Sequence, residues 1–464
     1  MTTLAGSALR RYHEATKHSP LSVAASRHRL DWSNKPRPFK VYTSVEGVPP
    51  PEDVARLCLY SNGVLRWRRH PGGEAYGFRA AACTGALYHS ELYLACADRK
   101  DLPAGLYHYG AHDHTLRLLR QGDVRGALLE ASGGFEPLVA APLVVVLTST
   151  FWRNSWKYQA RAYRHAFWDS GVILANLLAL ASADAQAASV VMGFADGAVD
   201  RLVGVDDVRE TAVALVAVGD AAAPPPTPGP LPELHLPTEP LSPREVRYPE
   251  IEEAHRASSF ASGDEAATWR AHAHAAVGEA PGPLSNEPIV EVIRRRRSTR
   301  RFADRSITRS QLATALAAAM APIPGDSFGA DLVAPFVIVN SVEGLEPGAY
   351  RGDLTLIRAG DFRRTAGELA LSQPLGAEAA ADVYWLSDLD AVFERFGERG
   401  YRVAQMAGGV AGGRLELAAT AAGLGATGLT FFDDEVTRFF EPAAAGRQVM
   451  YLVALGWRSR RQLP

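Results

Sequence analysis

The chain has 464 residues, more than one hydrophobic core ordinarily supports, so two domains of ordinary size are expected. Hydrophobic residues make up 47% and charged residues 22%, a globular balance, and a formal net charge of −2 excludes bulk attraction to nucleic acid or to a membrane surface. Three cysteines, Cys58, Cys83 and Cys96, are too few and too irregularly spaced for a disulfide framework or a metal site, which points to a reducing, cytoplasmic compartment.

Met1 to Ala15 lacks the basic-then-apolar order of a secretion signal. Val54 to Tyr60 reads as a helix, Leu87 to Ala97 and Leu143 to Thr148 as strands, Tyr163 to Ala183 as a long helix and Val213 to Val218 as a closing strand. The most apolar stretch, Val172 to Phe194, is interrupted by Asn176, Asp184 and Gln186, so it predicts a buried helix and no membrane span. Residues 221–285 are rich in proline, from Pro224-Pro225-Pro226 to Pro281-Gly282-Pro283, and predict a stiff connector without a core, with room for a short helix between Ile251 and Val277. Beyond it, Ile289 to Ile293 is helical, and Thr308 is placed to cap a helix from Gln311 to Ala319. A strand at Phe336 to Asn340, a helix at Tyr401 to Ala422 and a strand at Met450 to Leu455 follow. The pattern predicts an α+β fold, a central mixed sheet flanked by helices. Gly408, Gly409, Gly412 and Gly413 weaken the Tyr401 helix, and close approach to another helix is the expected reason for them.

The order of elements repeats because the sequence does. Leu102-Pro103-Ala104-Gly105-Leu106-Tyr107 recurs as Leu345-Glu346-Pro347-Gly348-Ala349-Tyr350, and Gly122-Asp123 recurs as Gly360-Asp361. Arg161-Ala162-Tyr163-Arg164 recurs as Arg399-Gly400-Tyr401-Arg402 at the same spacing as the Gly-Asp pair. Two copies of one domain are read, 1–220 and 286–464, joined by the 221–285 linker.

The second copy opens on Arg296-Arg297-Ser298-Thr299-Arg300-Arg301-Phe302. Taken alone, such a run is as well a solvated basic face as an anion site. It resembles the flavin-anchoring motif of the nitroreductase family, in which guanidinium forks meet phosphate or ring oxygens. Other segments narrow the resemblance: Thr84-Gly85-Ala86-Leu87-Tyr88, the Gly-Leu-Tyr turn, Lys157-Tyr158 ahead of Arg161 to Arg164, and Gly193-Phe194-Ala195-Asp196. Their order is similar to that of the SagB-type, or azoline dehydrogenase, branch, across nearly all of both copies but not the linker.

That resemblance implies FMN as cofactor and a dimer of such domains built inside one chain, with further homo-oligomerisation left open. The copies have diverged in a complementary way. The first carries Lys35 to Lys40 where the second has its arginines, and residues 322–329 match the Thr84 loop poorly. One composite FMN site is therefore expected. Arg296, Arg297, Ser298 and Arg300 would come from copy two and Thr84, Gly85 and Ala86 from copy one, with a backbone donor from Leu429-Thr430-Phe431 and a phosphate contact from Arg458. Arg460 and Arg461 form a basic tail beside it. The Thr84 loop departs from the family's Pro-Ser-Ala-Gly-Ala-Leu-Tyr by Ala82, Cys83 and Thr84, which moves its hydroxyl one position on.

The resemblance also casts Lys157 and Tyr158 as the catalytic pair, a base and its orienting partner. Oxidising an azoline ring to an azole removes a proton and a hydride, so a base is required, and the second copy's Arg395-Phe396 cannot serve. The expected partners are a peptide substrate and a cyclodehydratase, with dioxygen as acceptor and no metal. Two rival functions stay open: an NAD(P)H-dependent nitroreductase or flavin reductase, and a flavin-free scaffold of a peptide-modifying complex.

Overall fold

A computed structural model describes residues 6–69, 75–273, 287–329 and 331–459. Pro281-Gly282-Pro283, Arg460 and Arg461 lie outside the described residues. The chain folds as two compact units. One comprises Leu30–Ala280 with Pro322–Gly329, and the other Met1–Arg29, Pro281–Ala321 and Ala330–Pro464. They are called the first and second unit below.

The first unit is built on strands β1 (Gly47–Val48), β2 (Ser90–Cys96), β3 (Gly105–Gly110), β4 (Thr115–Gln121), β5 (Leu143–Thr150), β6 (Ala188–Val191) and β7 (Glu210–Val218), in the sheet order β1-β4-β3-β2-β5-β7-β6. The second unit has β8 (Ala334–Val339), β9 (Gly348–Arg351), β10 (Leu356–Ala359), β11 (Ala381–Ser387), β12 (Gly425–Gly428) and β13 (Gln448–Gly456), in the order β10-β9-β8-β11-β13-β12. Adding six to each label after β1 turns the first order into the second, so the duplication read from short motifs extends to strand topology. Both sheets are antiparallel throughout, where a mixed sheet was expected; among the described residues, parallel pairing between strands is confined to Ile307–Thr308 with Val342–Glu343. β5 and β11 are buried at every position, which explains why they read as continuous apolar runs instead of alternating ones.

Helices follow the same duplication: α1 (Glu52–Asn62), α2 (Phe151–Tyr158) and α3 (Ala162–Ala183) in the first unit, then α4 (Ile289–Arg295), α5 (Arg309–Ala319), α6 (Leu389–Phe396) and α7 (Arg399–Ala421) in the second. Thr308 caps α5 through a reciprocal capping box with Gln311, as its position predicts. The expected strand from Leu87 begins only at Ser90, because Gly85, Ala86 and Tyr88 take positive φ in a tight turn. The run Phe151–Ala183 is long and apolar enough to cross a membrane, but 83% of its most apolar window is buried inside the protein.

Two glycines of α7, Gly408 and Gly412, have a strand as partner where a helix was expected. A Cβ on Gly408 would lie 3.0 Å from the Met450 Cβ, and one on Gly412 would lie 2.2 Å from the Tyr451 ring, so these positions let the helix settle onto strand β13. Gly412→Ala should gain about 1 kcal/mol of helix propensity and lose about 1–3 kcal/mol to overpacking. Net destabilisation in urea unfolding is expected; a stabilised variant would refute the close approach.

The proline-rich connector is more structured than its composition suggests. Residues 237–244 hydrogen-bond to 34–43, through Thr43 N to Pro237 O (3.0 Å), Glu239 N to Val41 O (2.9 Å) and Arg37 N to Leu241 O (2.8 Å). Two helices, Pro249–Ala257 and Gly263–Ala273, bury Ile251, Ala254 and Ala266. Each unit also uses a segment from the other end of the sequence. Residues 322–329 lie along β6, where Asp326 accepts from Met192 N (2.9 Å) and Gly193 N (2.8 Å). The N-terminal helix Ala8–Ala15 joins the second unit, with His13 Nδ1 3.1 Å from the Tyr401 hydroxyl.

Candidate functional site

In the second unit, the arginine run begins where α4 ends. Arg296 is its C-cap, and the chain then runs beside edge strand β12, with Ser298 bridging to Ala426 and Thr299 N donating to Ala426 O at 2.9 Å. Phe302 makes an antiparallel bridge to Arg458, which brings Arg458 against the run. Strand pairing thus places residues 160 positions apart on one surface, although no periodicity in either segment predicts it.

The charges there do not balance. Arg296 Nη1 lies 3.2 Å from Glu416 Oε2, both side chains being buried, and Arg295 pairs with Glu287. Arg297, exposed, has no ion pair among the described residues, and Arg300 is likewise exposed without one. Arg458 buries Nε and one terminal nitrogen with no acceptor. Burial first, and then the neighbouring Arg297, Arg296 and Arg295, hold its pKa below the usual guanidinium range. The Thr299 hydroxyl, 1% exposed, is also without a partner. A Cβ added to Gly425 would sit 2.3 Å from that hydroxyl and 3.2 Å from Arg458 Nε, so both donors converge on a surface only glycine leaves open. Arg297 and Arg458, uncompensated and with orphaned buried donors beside them, fit a dianionic phosphate monoester such as that of FMN.

Glu416, on α7, organises this corner. One carboxylate oxygen meets Arg296 and the other accepts from Gly428 N at 3.2 Å. It had no motif to mark it in the sequence, and neither did the role of Thr299. After Gly428 the loop continues through Leu429, whose N–H goes to Leu452 O (3.1 Å), and Thr430, whose hydroxyl accepts from Gln373 Nε2 (3.2 Å). The Thr430 N–H has no acceptor among the described residues, whereas the Phe431 side chain is wholly buried in the core. Gly423, at φ 78°, ends α7, with Leu424 N closing onto Ala419 O at 2.8 Å. In the first unit the matching Gly193 loop has spent its donors: Gly193 N on Asp326, Ala195 N on Ala131 O and Asp196 N on Phe260 O.

The Thr84 loop of the first unit is organised by Asp169, on α3. Asp169 accepts from Thr84 N (2.9 Å), Thr84 Oγ1 (2.7 Å) and Cys83 Sγ (3.1 Å), and contacts His89 Nε2 at 2.7 Å. The Thr84 hydroxyl is therefore engaged as a donor and retains only its acceptor capacity. Burial, followed by the Asp169 charge, pushes the Cys83 thiol well up, so it stays protonated. Gly85 (φ 62°) and Ala86 (φ 53°) carry the turn's left-handed backbone. A Cβ on Gly85 would meet the Tyr158 hydroxyl at 2.9 Å, which places Tyr158 directly beside this loop.

Tyr158 closes α2. Its ring packs edge-on against His165 at 4.6 Å, and burial raises its pKa, so the phenol stays protonated at neutral pH. Lys157 is exposed, with its ammonium 5.2 Å from the centre of the Tyr158 ring. Asn154, from the same helix, bonds His165 Nδ1 (2.6 Å) and reaches Thr84 O (3.5 Å). Lys157, Tyr158, Gly85 and Ala86 thus form one cluster in the first unit, while Arg296, Arg297, Ser298 and Arg458 form another in the second. Cys83, His89 and Asp169 have the spacing of metal ligands, but their mutual hydrogen bonds already account for it.

Comparison with known proteins gives a consistent picture. A sequence profile of the nitroreductase family matches residues 73–220 and 293–457. A crystal structure from Anabaena variabilis, described as a nitroreductase, superposes with a TM-score of 0.81 at 28% identity, covering 98% of this chain and all of that one. A Methanocaldococcus jannaschii protein described as a nitroreductase is 22% identical over 143 residues, 31% of this chain and 71% of its own length. A chain of the Escherichia coli microcin synthetase McbBCD complex is 21% identical over 44% of this chain and 73% of that one, with a TM-score of only 0.32, which bears on neither substrate nor partner.

Proposed function

The chain belongs to the nitroreductase family, an oxidoreductase superfamily, and from that premise we propose that it is an FMN-dependent dehydrogenase that oxidises azoline rings in a peptide to azoles. The observation that carries the flavin is the convergence of Arg458 and Thr299, donors without acceptors, beside the uncompensated Arg297. Arg297 and Arg458 would hold the phosphate, Arg296 and Ser298 would line its approach, and Arg300 would stand at the exposed edge. The Thr430 N–H would face the ring, with Leu429 and Phe431 shaping the loop behind it. Bound flavin would supply a two-electron acceptor, reoxidised by dioxygen.

For the substrate, the support is the Lys157-Tyr158 pair and its place ahead of Arg161 to Arg164. Lys157 is exposed, so a bulky peptide can reach it, and the protonated Tyr158 hydroxyl can orient it or relay the proton from the ring carbon. Thr84, Gly85 and Ala86, held by Asp169, would present backbone to the reacting partners. A cyclodehydratase would supply the azoline, and the three free cysteines suit a reducing cytoplasm.

The family relatives described as nitroreductases favour the second reading, NAD(P)H-driven reduction of small molecules. Lys157→Ala separates the two. Azoline oxidation should fall by roughly 100-fold or more, the range of a lost general base, while NADPH-driven reduction of a nitroarene persists. Equal loss of both activities, or of neither, would reject Lys157 as the base. A protein that takes up no flavin on reconstitution would instead be a scaffold.

A further inference from the structure

Beside the Thr84 turn, the first unit carries a two-stranded hairpin, Val64–Arg69 with Ala75–Arg79, that belongs to neither main sheet. Among the described residues its strands pair only with each other, so their outer edges are open, a template for a further strand. The register sets two faces, because residues opposite each other across an antiparallel pair point the same way. Arg66 stands opposite Phe78 and Arg68 opposite Tyr76 on one face; Trp67 stands opposite Gly77 and Arg69 opposite Ala75 on the other. Tyr76 fixes the hairpin to the candidate site, since its hydroxyl donates to Ala86 O of the Thr84 turn.

The first of these faces is basic and aromatic. The Arg66 guanidinium lies 5.2 Å from the Phe78 ring centre, and the Lys35 ammonium lies 5.3 Å from that of Tyr76 and 5.7 Å from that of Trp32. Trp32 is 68% exposed, although tryptophan is enriched among the residues that carry binding energy at interfaces. Lys35, Arg68 and Arg69 enter no ion pair among the described residues. The acids on adjoining segments are already engaged: Asp31 by Ser33 N and Oγ, Glu239 by Arg37, and Asp113 by Arg117. Positive charge is thus uncompensated here, on a chain whose net charge is −2.

Spacing decides which anion fits. Arg66 and Arg68 are two positions apart on a strand, about 7 Å, which is also the repeat of side chains on one face of an extended peptide. An acidic peptide added to the open edge sets a carboxylate at every second residue beside these cations, while its backbone fills the unpaired edge. A nucleic acid or a phospholipid surface offers no strand to pair.

We propose that this hairpin docks an acidic, extended segment of the peptide substrate, held by strand pairing, by Lys35, Arg66 and Arg68, and by packing on Trp32. Docking there keeps the rest of the peptide beside the Thr84 turn, against which Tyr158 lies. That the occupant is the substrate rests on the dehydrogenase reading above; recognition of an acidic strand does not.

Fluorescence anisotropy of the full chain with short labelled peptides of alternating Glu-Thr, Gln-Thr or Lys-Thr tests this, none of them holding an azoline. Glu-Thr should bind at least about tenfold more tightly than either of the others, the scale of one well-placed interaction. Arg68→Glu should erase that preference. Arg364→Glu, an equal change of charge at an exposed arginine of the second unit, should leave it intact. Equal affinities for the three peptides would overturn the proposal, as would an unchanged preference in Arg68→Glu or equal loss in both variants. Duplex DNA or phosphatidylserine vesicles that compete as well as unlabelled Glu-Thr would overturn it too, since the hairpin would then bind polyanions in general. Azoline oxidation is assayed separately. Oxidation without the Glu-Thr preference removes this docking site alone, whereas the preference without oxidation supports the docking site and removes the dehydrogenase.

Discussion

Glu416→Ala should destabilise the second unit by about 3–5 kcal/mol, the cost of breaking a buried ion pair by removing one member. Glu416 is 1% exposed; its loss takes a buried carboxylate from the Arg296 guanidinium and leaves the Gly428 N–H without its acceptor. Desolvation is the deciding term. A surface pair of the same geometry would be worth only about 0–1 kcal/mol. Glu416→Gln should lose less, since an amide oxygen can still accept from Gly428 while Arg296 loses only the charge of this partner. Urea unfolding of the three proteins measures this. A loss below about 1 kcal/mol in the alanine variant would show that Arg296 finds another partner or water.

The same substitution should also impair flavin retention, because Arg296 and Gly428 flank the strand against which Ser298 and Thr299 are paired. Stability and cofactor binding meet in one side chain here.

Arg458→Ala should weaken FMN binding by about 10–100-fold, the equivalent of losing one charged hydrogen bond of about 1.5–3 kcal/mol, and leave riboflavin binding unchanged. The reason is that Arg458 is assigned to the phosphate alone. Without ligand its buried donors have no acceptor and its neighbours repel it, so the apoprotein should be no less stable without the guanidinium. FMN affinity should also fall with added salt, about as steeply in the variant as in the wild type, since exposed Arg297, which is screened, remains and the half-buried Arg458 is screened less. Fluorescence titration with both flavins is the measurement. Equal weakening of FMN and riboflavin would mean that Arg458 acts on the fold. No change in either would move the phosphate elsewhere.

Much of the candidate site was legible in the sequence because it is carried by compact motifs. The arginine run, the Thr84 turn and the Lys157-Tyr158 pair each sit within a few residues. What surrounds them was not. Asp169, which takes the backbone N–H and the hydroxyl of Thr84, lies some 85 positions along the chain on a helix that reads only as apolar. Glu416 is a charge within a small-residue helix and Thr299 stands between arginines, and neither carries a motif of its own. The α7 glycines were read correctly as a close approach, but periodicity cannot say whether a strand or a helix is on the other side.

By itself, the sequence determined that this is a duplicated α+β chain with an arginine-rich anion motif in one copy only, because repeats, apolar period and residue chemistry are local properties. Only the tertiary structure decided that the proline-rich connector would pair with residues 34–43, that residues 322–329 would extend the first unit's sheet edge, and that Arg458 would be left beside Arg297 with no counter-charge. Those outcomes depend on which distant backbone donors and charges meet. A linear pattern does not contain that information, because pairing energies are set by burial and partner geometry and not by the residue alone.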